Sequence, residues 1–160
     1  MKIIFDNEKV ILYLNKFMTK DLDFKDMNNL ELYFKNLFIK LREIYNIKIN
    51  GFYYVYVFID NLYGIVLELE KEDLDFFDYD ENDVDMHIVL QNVNFLYEIE
   101  DIFDRYGLYE YLDIYFYKDK YYGKIKSNID NTLYMNLIEI SNLIYKGTNE
   151  VLKYGKKIET

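Results

Sequence analysis

The sequence predicts an α+β protein made mainly of antiparallel sheet with two main helices. Three observations carry that expectation. An aromatic and β-branched run over residues 52–59 is answered by an alternating run over 62–70, which reads as a hairpin. An apolar stripe at spacings of three and four runs from Leu30 to Tyr45. A second hairpin pattern fills residues 111–126. The expected order is β-β-α-β-β-(acidic loop)-β-β-β-α, with helices segregated from the sheet. The expected organisation is a single α+β domain, 1–160. Its variant is a division into halves 1–70 and 86–160 joined by an acidic segment, 71–85.

Residues 2–5 and 10–14 read as short strands around the polar turn Asp6-Asn7-Glu8-Lys9. Leu30, Tyr33, Phe34, Leu37, Phe38, Leu41, Ile44 and Tyr45 then predict a helix over about residues 27–45. Asp26 is its expected N-cap, and Glu31 with Lys35 supplies an i,i+4 ion pair. Gly51 opens the strand 52–59, whose large residues on both faces predict a central strand covered on both sides. Asp60-Asn61 suits the tight turn into the partner strand.

Residues 87–90 and 94–98 read as strand material, and 100–106 as a short helix ended by Gly107. The next hairpin is 111–118 and 121–126 around Asp119-Lys120. A last helix is expected over about 132–145, with Leu133, Leu137, Ile138, Ile140 and Ile144 inward and Gly147 as its left-handed stop. The tail adds a helical turn or a strand. An exposed edge at 111–118 would allow a homodimer.

Charge is segregated along the chain. Residues 1–59 hold 9 basic and 7 acidic groups, residues 60–117 hold 2 and 17, and residues 118–160 hold 8 and 5, for a net charge of −10. Within 68–85 there are ten carboxylates and one lysine, Lys71. The 19 Ile and 16 Asn, with no Ala or Pro, are the profile of an AT-rich genome, bacterial or phage. The richness in Tyr follows from the same bias. No apolar signal segment and no uncharged run near 18 residues is present, which predicts a soluble cytoplasmic protein.

The inventory excludes much chemistry. No Cys means no disulfide and no thiolate site, and one His excludes a His cluster. Six scattered Gly form no phosphate-binding loop. His87 has no nucleophile beside it in sequence, since Ser127 and Ser141 are in no sharp Gly-flanked turn. Asp78, Asp80 and Asn82 match the first positions of a calcium loop, but Asp83 stands where Gly is needed and Val89 where the bidentate Glu belongs. A metal-dependent nuclease would need a Lys two places after the second carboxylate. Among Asp60, Glu68, Glu70 and Lys71 the spacing is wrong, and alternation turns Lys71 to the other face. No catalytic, metal or cofactor-binding residue is assigned, and no cofactor is expected.

What remains is binding. Clustered carboxylates steer association with basic partners. The expected function is a non-catalytic inhibitor or regulator whose acidic surface docks on a basic site of another protein, including a nucleic-acid-binding site mimicked by the carboxylates. Small anti-defence proteins of phages and mobile elements act this way as a class. The expected partner-binding residues are Glu72, Asp73, Asp75, Asp78, Asp80, Glu81, Asp83 and Asp85.

Other classes stand beside it: a divalent-metal hydrolase using carboxylates, and a single-strand nucleic-acid binder. The latter would use Tyr115, Tyr117, Lys118, Lys120, Tyr121, Tyr122, Lys124 and Lys126. The acidic pI near 4.6 and near-absence of Arg argue against nucleic acid.

In outline, β-β-α-β-β, an acidic connection and a smaller C-terminal part, the chain is similar to the competence adaptor family MecA. Lys120-Tyr121-Tyr122 and Tyr154-Gly155-Lys156 echo the C-terminal half of that family. The matching motifs are two or three residues long, the connection is short, and the helical segment before Tyr154 leaves no room for a further strand. The chain is therefore not assigned to the family. The outline implies the alternative function, a regulatory or degradation adaptor that binds an ATP-driven unfoldase through its C-terminal half.

Overall fold

A computed structural model describes residues 2–6, 9–60, 63–72, 83–100, 107–126 and 129–159. The chain forms two compact units, Met1–Asn92 and Val93–Thr160. The described residues hold ten strands and four helices in two sheets, an α+β fold dominated by antiparallel pairing.

In the first unit, β1 (Lys2–Asp6) and β2 (Lys9–Asn15) pair as the expected hairpin. A one-turn helix, α1 (Lys16–Thr19), follows, capped by the Asn15 side chain. Helix α2 spans Met27–Tyr45, the predicted range. The Asp26 carboxylate accepts hydrogen bonds from the Asn28 and Asn29 N–H groups at 3.1 and 3.2 Å, and Lys35 pairs with Glu31 at 3.1 Å. A cap of this kind is worth about 1 kcal/mol. Asn46, at φ 53°, ends the helix in the left-handed conformation that Asn tolerates.

β3 (Gly51–Asp60) and β4 (Gly64–Glu72) form the predicted second hairpin, with Phe52 opposite Glu72 and Asp60 opposite Gly64. β5 (Val84–Asn92) lies parallel to β3, giving the order β1-β2-β4-β3-β5. This one parallel pair is the exception to the antiparallel pattern. β4 ends opposite the start of β3, and β5 begins at that same end on the other side of β3, so it runs antiparallel to β4 and parallel to β3. There the Gly51 N–H donates to the Asp83 carbonyl at 2.9 Å.

The core of this unit lies between α2 and one face of the sheet. Leu30, Phe34, Leu37, Phe38 and Leu41 of the helix pack with Leu12, Leu14, Tyr53, Val55, Val57, Ile59, Ile65, Leu67 and Leu69. Each large side chain buried there contributes about 1.5–3 kcal/mol. Only the odd-numbered residues of β3 join this cluster. The expectation that β3 is central and covered on both sides is met in part: β3 lies inside the sheet and its other face is buried at Phe58, but Phe52, Tyr54 and Tyr56 are only half-buried.

The second unit has the sheet order β10-β7-β8-β6-β9. Its strands are β6 (Leu96–Ile99), β7 (Leu112–Tyr117), β8 (Lys120–Ile125), β9 (Ser141–Ile144) and β10 (Lys156–Ile158). A 3-10 turn, Tyr109–Tyr111, leads into β7. The predicted helix over 100–106 lies, apart from Glu100, outside the described residues.

The hairpin turn is Lys118-Asp119, one residue earlier than expected. Both have positive φ, 47° and 62°, as a two-residue turn between twisted strands demands. β7 is paired on both sides, so the expected homodimer edge at 111–118 is also corrected.

The largest departure lies in the predicted helix 132–145. Helix α3 covers Asn131–Ile140 and stops at Ser141, whose backbone is extended. β9 then pairs with β6, Leu96 opposite Ile144 and Ile99 opposite Ser141. Tyr134 and Leu137 are the buried residues of α3, while Leu133, Ile138 and Ile140 are half-buried. Pairing to β6 overrides local propensity here, and the β-branched Ile144 suits a strand. Gly147, at φ 71°, consequently precedes α4 (Thr148–Tyr154) instead of ending α3. The Tyr97 hydroxyl donates to the Tyr134 hydroxyl at 3.3 Å, and burial pushes the Tyr134 phenol well above its ordinary range.

Candidate functional site

Alternation along a strand sends even and odd residues to opposite faces. In the first unit this rule sorts chemistry as well as burial. On the face away from α2, β3 presents Phe52, Tyr54, Tyr56 and Phe58. Beside them β4 presents Val66, Glu68, Glu70 and Glu72, and β5 presents Asp85, His87, Val89 and Gln91.

The register forms three rows. Glu72, Phe52 and Asp85 make the first, Glu70, Tyr54 and His87 the second, and Glu68, Tyr56 and Val89 the third. Lys9 of β2 stands opposite Glu70 on the far side.

The aromatic side chains make a continuous ladder. Phe52 and Tyr54 meet edge to face at 5.6 Å, Tyr54 and Tyr56 stack at 6.3 Å, and His87 meets Tyr54 edge to face at 5.8 Å. A hydrogen bond to the Glu72 carboxylate, reinforced by its charge, raises the Tyr54 phenol above its ordinary value. Glu68 is 5% exposed, whereas Glu70, Asp85 and His87 are exposed. Rings flanked by carboxylates form a surface for cations, since ring faces and carboxylates both attract positive charge.

Of the sequence-predicted binding residues, Glu72, Asp83 and Asp85 are described, and they gather at one end of this face. Glu72 and Asp85 share the Phe52 row, roughly 10 Å apart across two strand spacings. Asp83 is exposed just before β5. Asp73, Asp75, Asp78, Asp80 and Glu81 lie outside the described residues, as do Asn82 and most of the calcium-loop comparison. Phe52, Tyr54, Tyr56, Glu70 and His87 were not singled out from sequence as a binding face. The signal was present: the aromatics at 52, 54, 56 and 58 and the carboxylates at 68, 70 and 72 share one parity.

Among the described residues the other constellations are not brought together. Lys71 stands opposite Tyr53, on the helix face, while Glu68 and Glu70 are on the other. Asp60 lies four residues from Tyr56 along β3, about 13 Å from the Glu68 row. Among the described residues no group of three His, Asp or Glu is placed to hold a metal ion. The Ser141 hydroxyl donates to the Leu137 carbonyl, a local helix-end contact.

In the second unit the Tyr/Lys hairpin is divided between faces. Tyr115, Tyr117, Lys120, Tyr122 and Lys124 share one face, and Phe116 and Tyr121 share the other. Its lysines meet carboxylates: Lys120 with Glu98 at 3.1 Å and Lys118 with Glu150 at 3.8 Å. Lys157 of β10 likewise meets Asp113 at 3.4 Å. The Tyr117 hydroxyl donates to Glu150 at 2.7 Å. Such pairing offsets part of the positive charge with which a groove tracks a phosphate backbone. A groove of about 560 Å³ at the β10 edge is lined by Phe116, Tyr121, Lys156, Lys157, Ile158 and Glu159.

Compared with known protein families, curated proteins and solved structures, the chain matches none. No described helix is long and apolar enough to cross a membrane.

Proposed function

We infer that the chain is a non-catalytic protein-binding regulator whose first unit docks a basic surface of a partner on the aromatic and acidic face of its sheet. The observation that carries the reading is the shared face: Phe52, Tyr54 and Tyr56 run between Glu70 and Glu72 on one side and Asp85 on the other. Carboxylates steer a basic partner in, and partly buried rings provide the area that holds it. Inhibition of a nucleic-acid-binding protein is the form of this function in which carboxylates stand in for phosphates.

The test is affinity capture from host extract with the wild-type chain and with Glu70→Gln/Glu72→Gln/Asp85→Asn. The wild type should retain a partner that elutes as salt rises, because exposed charge pairs are screened. The variant, with an unchanged circular dichroism spectrum, should retain at least tenfold less. Equal retention, or capture indifferent to salt, would sink the reading.

A second reading is a regulatory adaptor, in which the second unit engages a separate partner. Two observations favour it. The chain divides into two compact units, each with its own five-stranded sheet. The strand for which the segment before Tyr154 left no room is present as β9, Ser141–Ile144.

A further inference from the structure

We propose that β5 is an open docking edge that takes up an extended partner segment in which basic and apolar residues alternate, adding it to the sheet as a further strand. This rests on the reading of the acidic and aromatic face and specifies what that face receives.

β5 is nine residues long and outermost in its sheet, and among the described residues β3 is the strand that pairs with it. On an outermost strand every second residue turns its backbone N–H and C=O away from the sheet, a ready template for another strand. Folded proteins guard such edges with charged side chains, above all lysine, with proline, bulges or shortness, or by covering them. Among the residues of β5 the one carboxylate is Asp85, with no lysine, proline or bulge: Val-Asp-Met-His-Ile-Val-Leu-Gln-Asn pairs with β3 in unbroken register over all nine positions. The opposite edge, β1, is five residues long and carries Lys2.

The two faces of β5 define the occupant. Val84, Met86, Ile88 and Leu90 pack on the α2 side but are only half-buried, whereas Val55 and Val57 of neighbouring β3 are 0% exposed. The apolar layer is thus unfinished at this edge, and apolar residues of an added strand would extend it.

On the other face Asp85, His87, Val89 and Gln91 are exposed beside Phe52, Tyr54 and Tyr56. A strand laid about 5 Å beyond β5 lies roughly 10 Å from β3. Long basic side chains folded across β5 then reach Asp85 and the rings, where cation–π attraction and charge act together. Acidic segments are repelled by the same row. The chain recognises backbone by pairing and sequence by alternation, as in other strand-addition complexes.

The probe is a fluorescent blocked peptide of four Val-Arg repeats, titrated into the full-length chain and followed by anisotropy. Twins carry Glu for Arg, or N-methyl groups on every valine or on every arginine. The Arg peptide should bind at least tenfold more tightly than the Glu peptide; equal binding would overturn the acidic-face reading itself. One of the two N-methylated twins should bind at least tenfold more weakly than the parent, because one set of amides faces β5. If both twins bind like the parent while the Glu peptide does not, strand addition is wrong and the acidic face stands.

Val89→Lys installs the guarding cation at an exposed position and should cost at least tenfold. Leu32→Lys, exposed on α2, should cost nothing. Equal affinity of the Val89→Lys and Leu32→Lys chains would place the peptide elsewhere.

Discussion

Gly64→Ala should destabilise the first unit by about 3 kcal/mol or more, from strain and overpacking combined. For a unit of this size that corresponds to a fall of roughly 12–24 °C in its melting temperature. Gly64 opens β4 at φ +128°, a conformation closed to side-chain-bearing residues. A Cβ there would overlap the Leu14 carbonyl oxygen and lie 3.0 Å from the Asn15 Cα. The obstruction is backbone of the paired strand β2, which cannot swing aside as a flexible side chain would. Relief would require parting β2 from β4, the centre of the sheet. Gly107→Ala is the control: its φ is +66° but among the described residues nothing lies within 4 Å of the added atom, so about 1 kcal/mol is expected. Differential scanning calorimetry of both variants decides it; a Gly64→Ala chain that melts with the wild type would refute the packing described for β2 and β4.

Tyr54→Ala/Tyr56→Ala should weaken capture of the basic partner by on the order of 30- to 1,000-fold, taking about 1–2 kcal/mol for each ring that stacks on a desolvated cation. The helix-side core is spared because Tyr54 and Tyr56 are outside it. Tyr54→Phe/Tyr56→Phe keeps the rings and should keep most of the affinity. The Phe pair losing as much as the Ala pair would mean that hydroxyl contacts, including that of Tyr54 with Glu72, carry the binding instead. Affinity measured by calorimetry with the captured partner separates these outcomes.

Helix α2 was legible because its signals are local: one stripe of apolar residues, a capping Asp26 and one i,i+4 pair all lie within the helix or next to it. The β3–β4 hairpin was legible for the same reason. β9 was not, because Ser141–Ile144 becomes a strand only through its pairing with β6, more than forty residues earlier in the chain. The position of β7 inside its sheet likewise depends on β10, which is three residues long.

The acidic charge was read correctly as a concentration near residues 68–85, but as a run along the chain. Along β4 folding sorts the start of that run by parity: Glu68, Glu70 and Glu72 go to the aromatic face and Lys71 to the other. Counting charge by segment misses this, whereas counting by alternate residues would have joined the carboxylates to Tyr54 and Tyr56.

The most direct test is amide hydrogen exchange on the full chain, alone and with the partner that elutes from it in salt. The docking face predicts slowed exchange along Val84–Asn92 and Gly51–Asp60, lost again in Glu70→Gln/Glu72→Gln/Asp85→Asn. Unchanged exchange throughout Met1–Asn92 at saturating partner would contradict it.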